Sequence, residues 1–388
     1  MTPGFYAMKI YLKTPEFDQD KLIRSYLHPD KGLFFYFRHM CMRMQAHFTT
    51  LIPHEKIPKV FIHGNPHTEN YLITDQGSGM ADFDRSRIGA YAWDITRFLC
   101  SLSLKRADTG APFLNATVLE YFREGYMRGF EVHKTPYKEA SKSTDRANFD
   151  VWYNSTREYL NAEVKWAKEM RKTPLNANNK VLVKILEGYL KSRKEENLLK
   201  EYEIEEAGKA KGTFGNKRIL VVLQPKKNQS KDKILLELKT VYQDPDTEHY
   251  YNPFKHHGLR MIKASELYAP QVEQGLGYTT YKGQEYWGRQ IPHRSAKIKD
   301  TLNEFEQVDI AYSVATQLGR AHRKSLQKDL KPDNLLKHFQ QHYDLFVALG
   351  MQMNQELIQG HQKYVELYHN KYSPSQLEED TGLELELV

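Results

Sequence analysis

The spacing of apolar positions changes character several times along the chain. Through the first 130 residues, helical stretches alternate with two short apolar runs, KVFI (59–62) and YLI (71–73). Each run is bounded by turn residues, which predicts two short strands. Residues 131–210 are polar and rich in Lys and Glu. In VLVKILEGYLKSRKEENLLKEYEIEE the apolar residues recur three and four apart, predicting helices that each pack one face. Near residue 211 the period changes again. KGTFG (211–215) leads into RILVVL (218–223), a polar turn PKKNQSKD, and ILLELK (234–239). Two β-type runs about a polar turn predict a hairpin, and EYWGRQI (285–291) predicts a further strand. From Val308 onward the pattern is helical, strongly so in VDIAYSVATQLGRAHRKS. No internal repeat is present.

Composition narrows the class. Of 388 residues, 40% are hydrophobic and 27% charged, a globular balance that excludes disorder and low-complexity fibres. No run approaches the length of apolar chain that spans a bilayer, and the first residues lack the unbroken apolar core of a secretion signal. Two cysteines, Cys41 and Cys100, exclude a disulfide scaffold and a thiolate zinc site, so a cytoplasmic protein is expected. The net charge of +7 is mild and mixed with acidic residues, and the abundant tyrosines are scattered through predicted helices; nucleic acid is not an expected partner.

The chemistry concentrates in HGNPHTEN (63–70), MADFD (80–84), Gly89 and Asp94. Phosphoryl transfer from a nucleotide needs a loop group that takes or orients the nucleophile's proton, an Asn a few residues on that coordinates Mg²⁺, and a strand ending in an Asp that holds the metal. Asn70 follows Asn65 by five residues, and Asp82 follows Asn70 by twelve, with a tight turn through DQGSG between. Such a hairpin would bring Asn70 and Asp82 to one site of oxygen ligands, the kind that Mg²⁺ prefers. Asp84 is either a further metal ligand or a carboxylate that orients one. Asp94 is expected to anchor the loop through backbone hydrogen bonds.

These motifs resemble the HGD-x-H-x-x-N…DF…G…D signature of aminoglycoside and choline kinase-like phosphotransferases. They resemble more closely a bacterial family known as domain of unknown function 2252, with its GDAH-x-x-NFG and NDFDE…WEWD motifs. Five further segments resemble that family in its own order: FDVWY (149–153), GTFGNKRILVVL (212–223), LLELKTV (235–241), YWGRQI (286–291) and LGRAHRKS (318–325). The resemblance implies an α+β, protein-kinase-like, two-lobed fold in circularly permuted order. A catalytic-loop part over 1–210 and C-terminal helices over 293–388 would form the large lobe, with a small β-rich nucleotide-binding lobe over 211–292 between them. It implies ATP and Mg²⁺ as cofactors. Lys239 would contact the phosphates, Gly212, Thr213 and Gly215 would let backbone N–H groups approach them, and Asn70, Asp82 and Asp84 would form the metal set.

Asn65 departs from the family, which places the catalytic Asp there. An amide cannot act as a general base, a contribution of roughly 10²–10⁴-fold in rate. His67 is the obvious substitute base, though packing within the loop is its simpler reading. Ala210 stands where the family's Gly-rich loop begins with Gly. The acidic partner of Lys239 falls by alignment on Lys263, leaving Glu266, one helical turn on, as the candidate. The expectation is therefore a nucleotide-binding, phosphotransferase-type protein that is weak or inactive, with an acceptor that is a small molecule or a protein. A non-enzymatic pseudokinase module and a nucleotidyl (AMP) transferase are the alternatives. DLKPDNLL (329–336) offers one more, an unpermuted Ser/Thr kinase using Asp329 and Asn334. The helical pattern after it, without a metal-binding Asp-Phe-Gly, argues instead for an ordinary loop before a helix.

Overall fold

The changes of period resolve into two lobes in a computed structural model, which describes residues 19–104, 114–133, 152–212, 216–227, 231–298 and 302–373. Helices α1 (Gln19–Leu27), α2 (Gly32–His39) and α3 (Cys41–Leu51) precede strand β1 (Lys59–Ile62). β2 (Tyr71–Thr74) and β3 (Gly77–Met80) form the antiparallel hairpin expected between Asn70 and Asp82, with Tyr71 opposite Met80. β4 (Arg87–Ala90) returns antiparallel to β1 and runs into α4 (Tyr91–Ser103); α5 (Ala116–Glu131) follows.

The small lobe begins with α6 (Thr156–Asn161), α7 (Lys165–Lys172), α8 (Lys180–Ser192) and α9 (Leu198–Glu201). Its sheet is built from β5 (Tyr202–Lys211), β6 (Lys217–Pro225), β7 (Ile234–Thr240), β8 (Gln274–Tyr281) and β9 (Gln284–Gln290), with α10 (His257–Tyr268) between β7 and β8. The strand order is β5-β6-β7-β9-β8, every pairing antiparallel. β10 (Ser295–Lys297) then crosses to the large lobe and pairs with β2. Finally α11 (Glu304–Lys324), opened by an Asn303/Glu306 capping box, and α12 (Pro332–Tyr368) complete that lobe. The predicted hairpin, the strand at 285–291 and the C-terminal helices are all present, and the β2–β3 hairpin precedes the small lobe in the permuted order.

The expected small-lobe boundary at 211 requires correction. β5 starts at Tyr202, inside a stretch read as helical, and α6–α8 pack on the small sheet. Alternation explains how. Ile219, Val221 and Leu223 of β6 with Leu236 and Leu238 of β7 bury one face against Leu182, Ile185 and Leu186 of α8. Leu220, Val222 and Leu235 bury the other face against Trp166, Ala167 and Met170 of α7. Each such side chain contributes about 1.5–3 kcal/mol on burial. Further along that second face, Arg218, Glu237, Lys239, Trp287 and Arg289 look into the space between the lobes. In the large lobe, α4, α5, α11 and α12 share a core that includes Trp93, Phe98, Phe122, Tyr126 and Phe339. Among the described residues no helix is long and apolar enough to cross a membrane.

DLKPDNLL is the turn leading into α12, with Pro332 at the helix start. Asp329 and Asn334 are exposed and lie outside the interlobe cleft, so the unpermuted-kinase expectation fails.

Candidate functional site

The loop after β1 hangs from one carboxylate. Asp94, at the start of α4 and fully buried, accepts from the backbone N–H groups of His63 (2.7 Å) and Gly64 (2.8 Å). The Tyr268 hydroxyl of α10, which also bonds Phe61 O at 2.9 Å, and His322 Nε2 of α11 each lie 3.2 Å from it. One side chain thus ties the loop to α4, α11 and the small lobe, the anchoring role expected of it. Two glycines are obligatory beside it. Gly64 has φ +87°, and a Cβ there would meet the Arg85 carbonyl at 2.1 Å; a Cβ on Gly89 would meet the Tyr250 ring at 2.3 Å.

Asn65 and Asn70 have their amides oriented by their neighbours. Asn70 Nδ2 donates to the Asn65 carbonyl at 3.3 Å, and Asn70 lines the cleft. Asn65 Oδ1 accepts from Nε of the fully buried Arg97 at 2.9 Å. The Ala81 N–H bonds the Asn70 carbonyl at 2.8 Å, so Asp82 leaves β3 beside Asn70. Asp82 has φ +64°, a left-handed conformation that costs a non-glycine residue about 1–3 kcal/mol and gathers at functional sites.

Asp84 and Lys239 join the lobes. Lys239 Nζ of β7 lies 3.1 Å from Asp84 Oδ2 and 5.2 Å from the Trp287 ring centroid. Burial alone would lower the lysine's pKa; Asp84, Asp82 and Glu237 outweigh it and raise it. Burial raises the Asp84 pKa, with Lys239 opposing and Asp82 adding to the rise. Asp84 Oδ1 is buried and has no hydrogen-bond partner among the described residues. Two carboxylates, of which Asp84 carries the orphaned oxygen, and the Asn70 amide are a donor set that fits Mg²⁺, which keeps several waters and takes few protein ligands. No group of three or more His, Cys, Asp or Glu side chains converges on a metal position among the described residues.

The roof of the cleft is ionic. Glu237 bonds Arg218 Nε and lies 3.2 Å from Arg289 Nη2; Arg218 also pairs with Glu169 at 2.9 Å, and Arg289 with Glu273. Burial would raise the Glu237 pKa, but the two guanidinium groups hold it at about 2. Gly212 lines the cleft and closes the β5–β6 turn by donating to Asn216 O at 2.8 Å. Thr213 and Gly215 lie outside the described residues.

One expectation needs correction, and His67 follows the simpler of its two readings. Glu266 does not pair with Lys239: it sits on the exposed face of α10, 2.6 Å from Lys263, and Asp84 is the lysine's partner instead. His67 does not face the cleft. It is 1% exposed, its ring edges against Phe34, and neither nitrogen has a hydrogen-bond partner among the described residues. Burial, with Arg38 and Arg97 adding, pushes its pKa well below the ordinary value. That geometry suits packing and not proton abstraction.

Two family models match the chain. One describes an uncharacterized protein conserved in bacteria, the domain of unknown function 2252 family, and matches residues 131–367. The chain belongs to this family. The other is the phosphotransferase enzyme family, matched over residues 15–133, the segment that carries β1, the HGN loop, Asp82 and Asp84. No curated protein and no solved structure matches the chain. The two matches meet between the part that supplies Asn70, Asp82 and Asp84 and the part that supplies Lys239, so the cleft is built from both.

Arg97 and the ionic roof were not singled out in the sequence. Glu237 and Lys239 stand two apart in an otherwise apolar strand, which puts both on one face; that alternation was the available signal. Arg97 offered none, because a single Arg in an amphipathic helix reads as a solvated residue.

Proposed function

We propose that the interlobe cleft binds ATP with Mg²⁺, and that the protein is of phosphotransferase type with its base position held by Asn65. The observation that carries this reading is the convergence of Lys239 from the small lobe with Asn70, Asp82 and Asp84 from the large lobe. Lys239 would neutralise phosphate charge, with the Gly212 backbone close by; Asn70 Oδ1, Asp82 and Asp84 would hold the metal. Mg²⁺ supplies charge neutralisation at the phosphates, which together with positioning accounts for most of the catalysis in this reaction class. Asn65 carries no charge and takes no proton, so hydroxyl phosphorylation would run without the roughly 10²–10⁴-fold of a general base. The two cysteines, both free thiols and buried, support a cytoplasmic setting.

A thermal-shift series tests the reading. Mg·ATP should raise Tm, ATP without metal should do so less, and Asp82→Asn or Lys239→Ala should remove the shift while the proteins stay folded by circular dichroism. No shift with Mg·ATP for the unaltered protein would sink it.

A further inference from the structure

Asn65 does more than lack a base. An arginine Nε–H can only donate, so the Asn65 atom 2.9 Å from Arg97 Nε is fixed by chemistry as the oxygen. Arg97 is itself immobilised: Nη2 donates to Phe37 O at 2.9 Å, Nη1 approaches Met44 Sδ at 2.9 Å, and its guanidinium lies 3.5 Å from the Phe37 ring centroid. With its oxygen held by Arg97, the amide atom that Asn65 has left for another partner is Nδ2, a pure donor. Asn65 lines a small pocket with Asp82, Asp84, Arg85 and Tyr242.

Behind the Asp82 and Asp84 carboxylates that line this pocket stands a cluster of guanidinium groups. Arg85 lies 3.0 Å and Arg87 2.8 Å from Asp244, and all three are buried. Arg260 packs behind them, bonded to Ser86 O and Tyr242 O. Burial and the neighbouring Arg87 push the Arg260 pKa down to about 10, as expected where guanidinium groups crowd together. No histidine is available to take a proton from an acceptor: His67 is buried away from the cleft, and His63 is engaged by the Asn65 N–H and the Ala81 carbonyl.

Building on the nucleotide reading above, we propose that the acceptor in this cleft is an oxyanion, a phosphate or carboxylate oxygen, oriented by the Asn65 Nδ2–H₂ group. Such a nucleophile needs no base. Its lone pair forms the new O–P bond to the terminal phosphorus, the bond from that phosphorus to the bridging oxygen breaks, and the electron pair leaves with the nucleoside diphosphate. No proton moves.

The full-length protein saturated with Mg²⁺ and the non-hydrolysable β,γ-imido analogue of ATP provides a readout independent of turnover. Acetate and orthophosphate, but not glycerol, should shift the Asn65 side-chain amide signal in ¹H–¹⁵N spectra, assigned by its loss in Asn65→Asp. That variant should bind acetate at least tenfold more weakly. With Mg·ATP, acetate should stimulate ADP release from the unaltered protein and glycerol should not, whereas Asn65→Asp should reverse the preference. The proposal is overturned if nucleotide binds, as Tm reports, yet neither anion moves the Asn65 signal. It is also overturned if the unaltered protein phosphorylates glycerol as fast as acetate. If the variant does not fold, ADP release from the unaltered protein with acetate against glycerol decides the matter. Absence of any nucleotide-dependent Tm shift would instead remove the underlying reading and this one with it.

Discussion

Asp94 accepts two backbone N–H groups, with the Tyr268 hydroxyl and His322 Nε2 each 3.2 Å away, so changing it to asparagine removes the charge and turns one acceptor into a donor. Asp94→Asn should destabilise the fold by about 3 kcal/mol, measured by urea unfolding, because a buried hydrogen-bonded charge leaves several partners unmatched. A loss under about 1 kcal/mol would show that the loop does not depend on it. His67 should behave in the opposite way. Both ring nitrogens are buried without partners among the described residues, so His67→Leu should leave stability unchanged or raise it by about 1 kcal/mol, and Mg·ATP binding should persist. Loss of binding without loss of fold would return His67 to the site. At this scale the sequence spoke clearly where a residue type has one chemical use. The spacing of Asn70 and Asp82 placed both at one cleft, and the Asp94 anchor was legible too. It was silent where the use depends on a neighbour from elsewhere in the chain, as with Arg97, which fixes Asn65 across 32 residues.

Among the elements, β7 shows the same division between what alternation reveals and what it hides. Its residues Leu236 and Leu238 go to the α8 core while Glu237 and Lys239 go to the cleft, a split written in period two. β5 was missed because its apolar residues Ile204, Ala207 and Ala210 stand three apart, a helical spacing. In the strand, a register shift between Ile204 and Glu206 puts Ile204 and Ala207 on the face that packs against α8, while Ala210 packs on the opposite face with the α7 cluster. The ionic roof that the strands present makes a testable contrast. Glu237→Gln leaves Arg218 and Arg289 buried with one carboxylate fewer, and should lower stability by about 3 kcal/mol. Glu266→Ala, which breaks only an exposed pair with Lys263, should change it by less than about 1 kcal/mol. Equal effects in denaturant titrations would refute the roof as the charged framework of the cleft.

For the whole molecule, the order of motifs made two lobes legible as one unit with its parts out of sequence. The extent of the small lobe was hidden because α6–α8 carry the same one-faced periodicity whichever lobe they cover. The assembled molecule also has a pH response that no single segment would show. His39 lies buried in the large lobe, and its pKa falls to about 3 through burial, with Arg38 and Arg85 adding. His54 falls to about 4 through burial, with His249 and Lys59 adding, among the rings of Phe48 and Tyr250. Above pH 6.5 both are neutral folded and unfolded, so stability is level. Below it the unfolded chain takes up protons that the folded state refuses, and each histidine removes up to about 1.4 kcal/mol per pH unit until its folded pKa is reached. Glu237 adds to the fall below 4.5, since its folded pKa of about 2 lies under its unfolded value and its stabilisation is lost as pH drops toward 2. Urea midpoints should therefore be flat from pH 8 to 6.5 and decline steadily from 6.5 to 4. His54→Phe keeps a ring in that aromatic cluster while deleting the titration, and should make the decline shallower by close to one proton. An unchanged slope in the variant would mean that His54 is not held neutral by the fold.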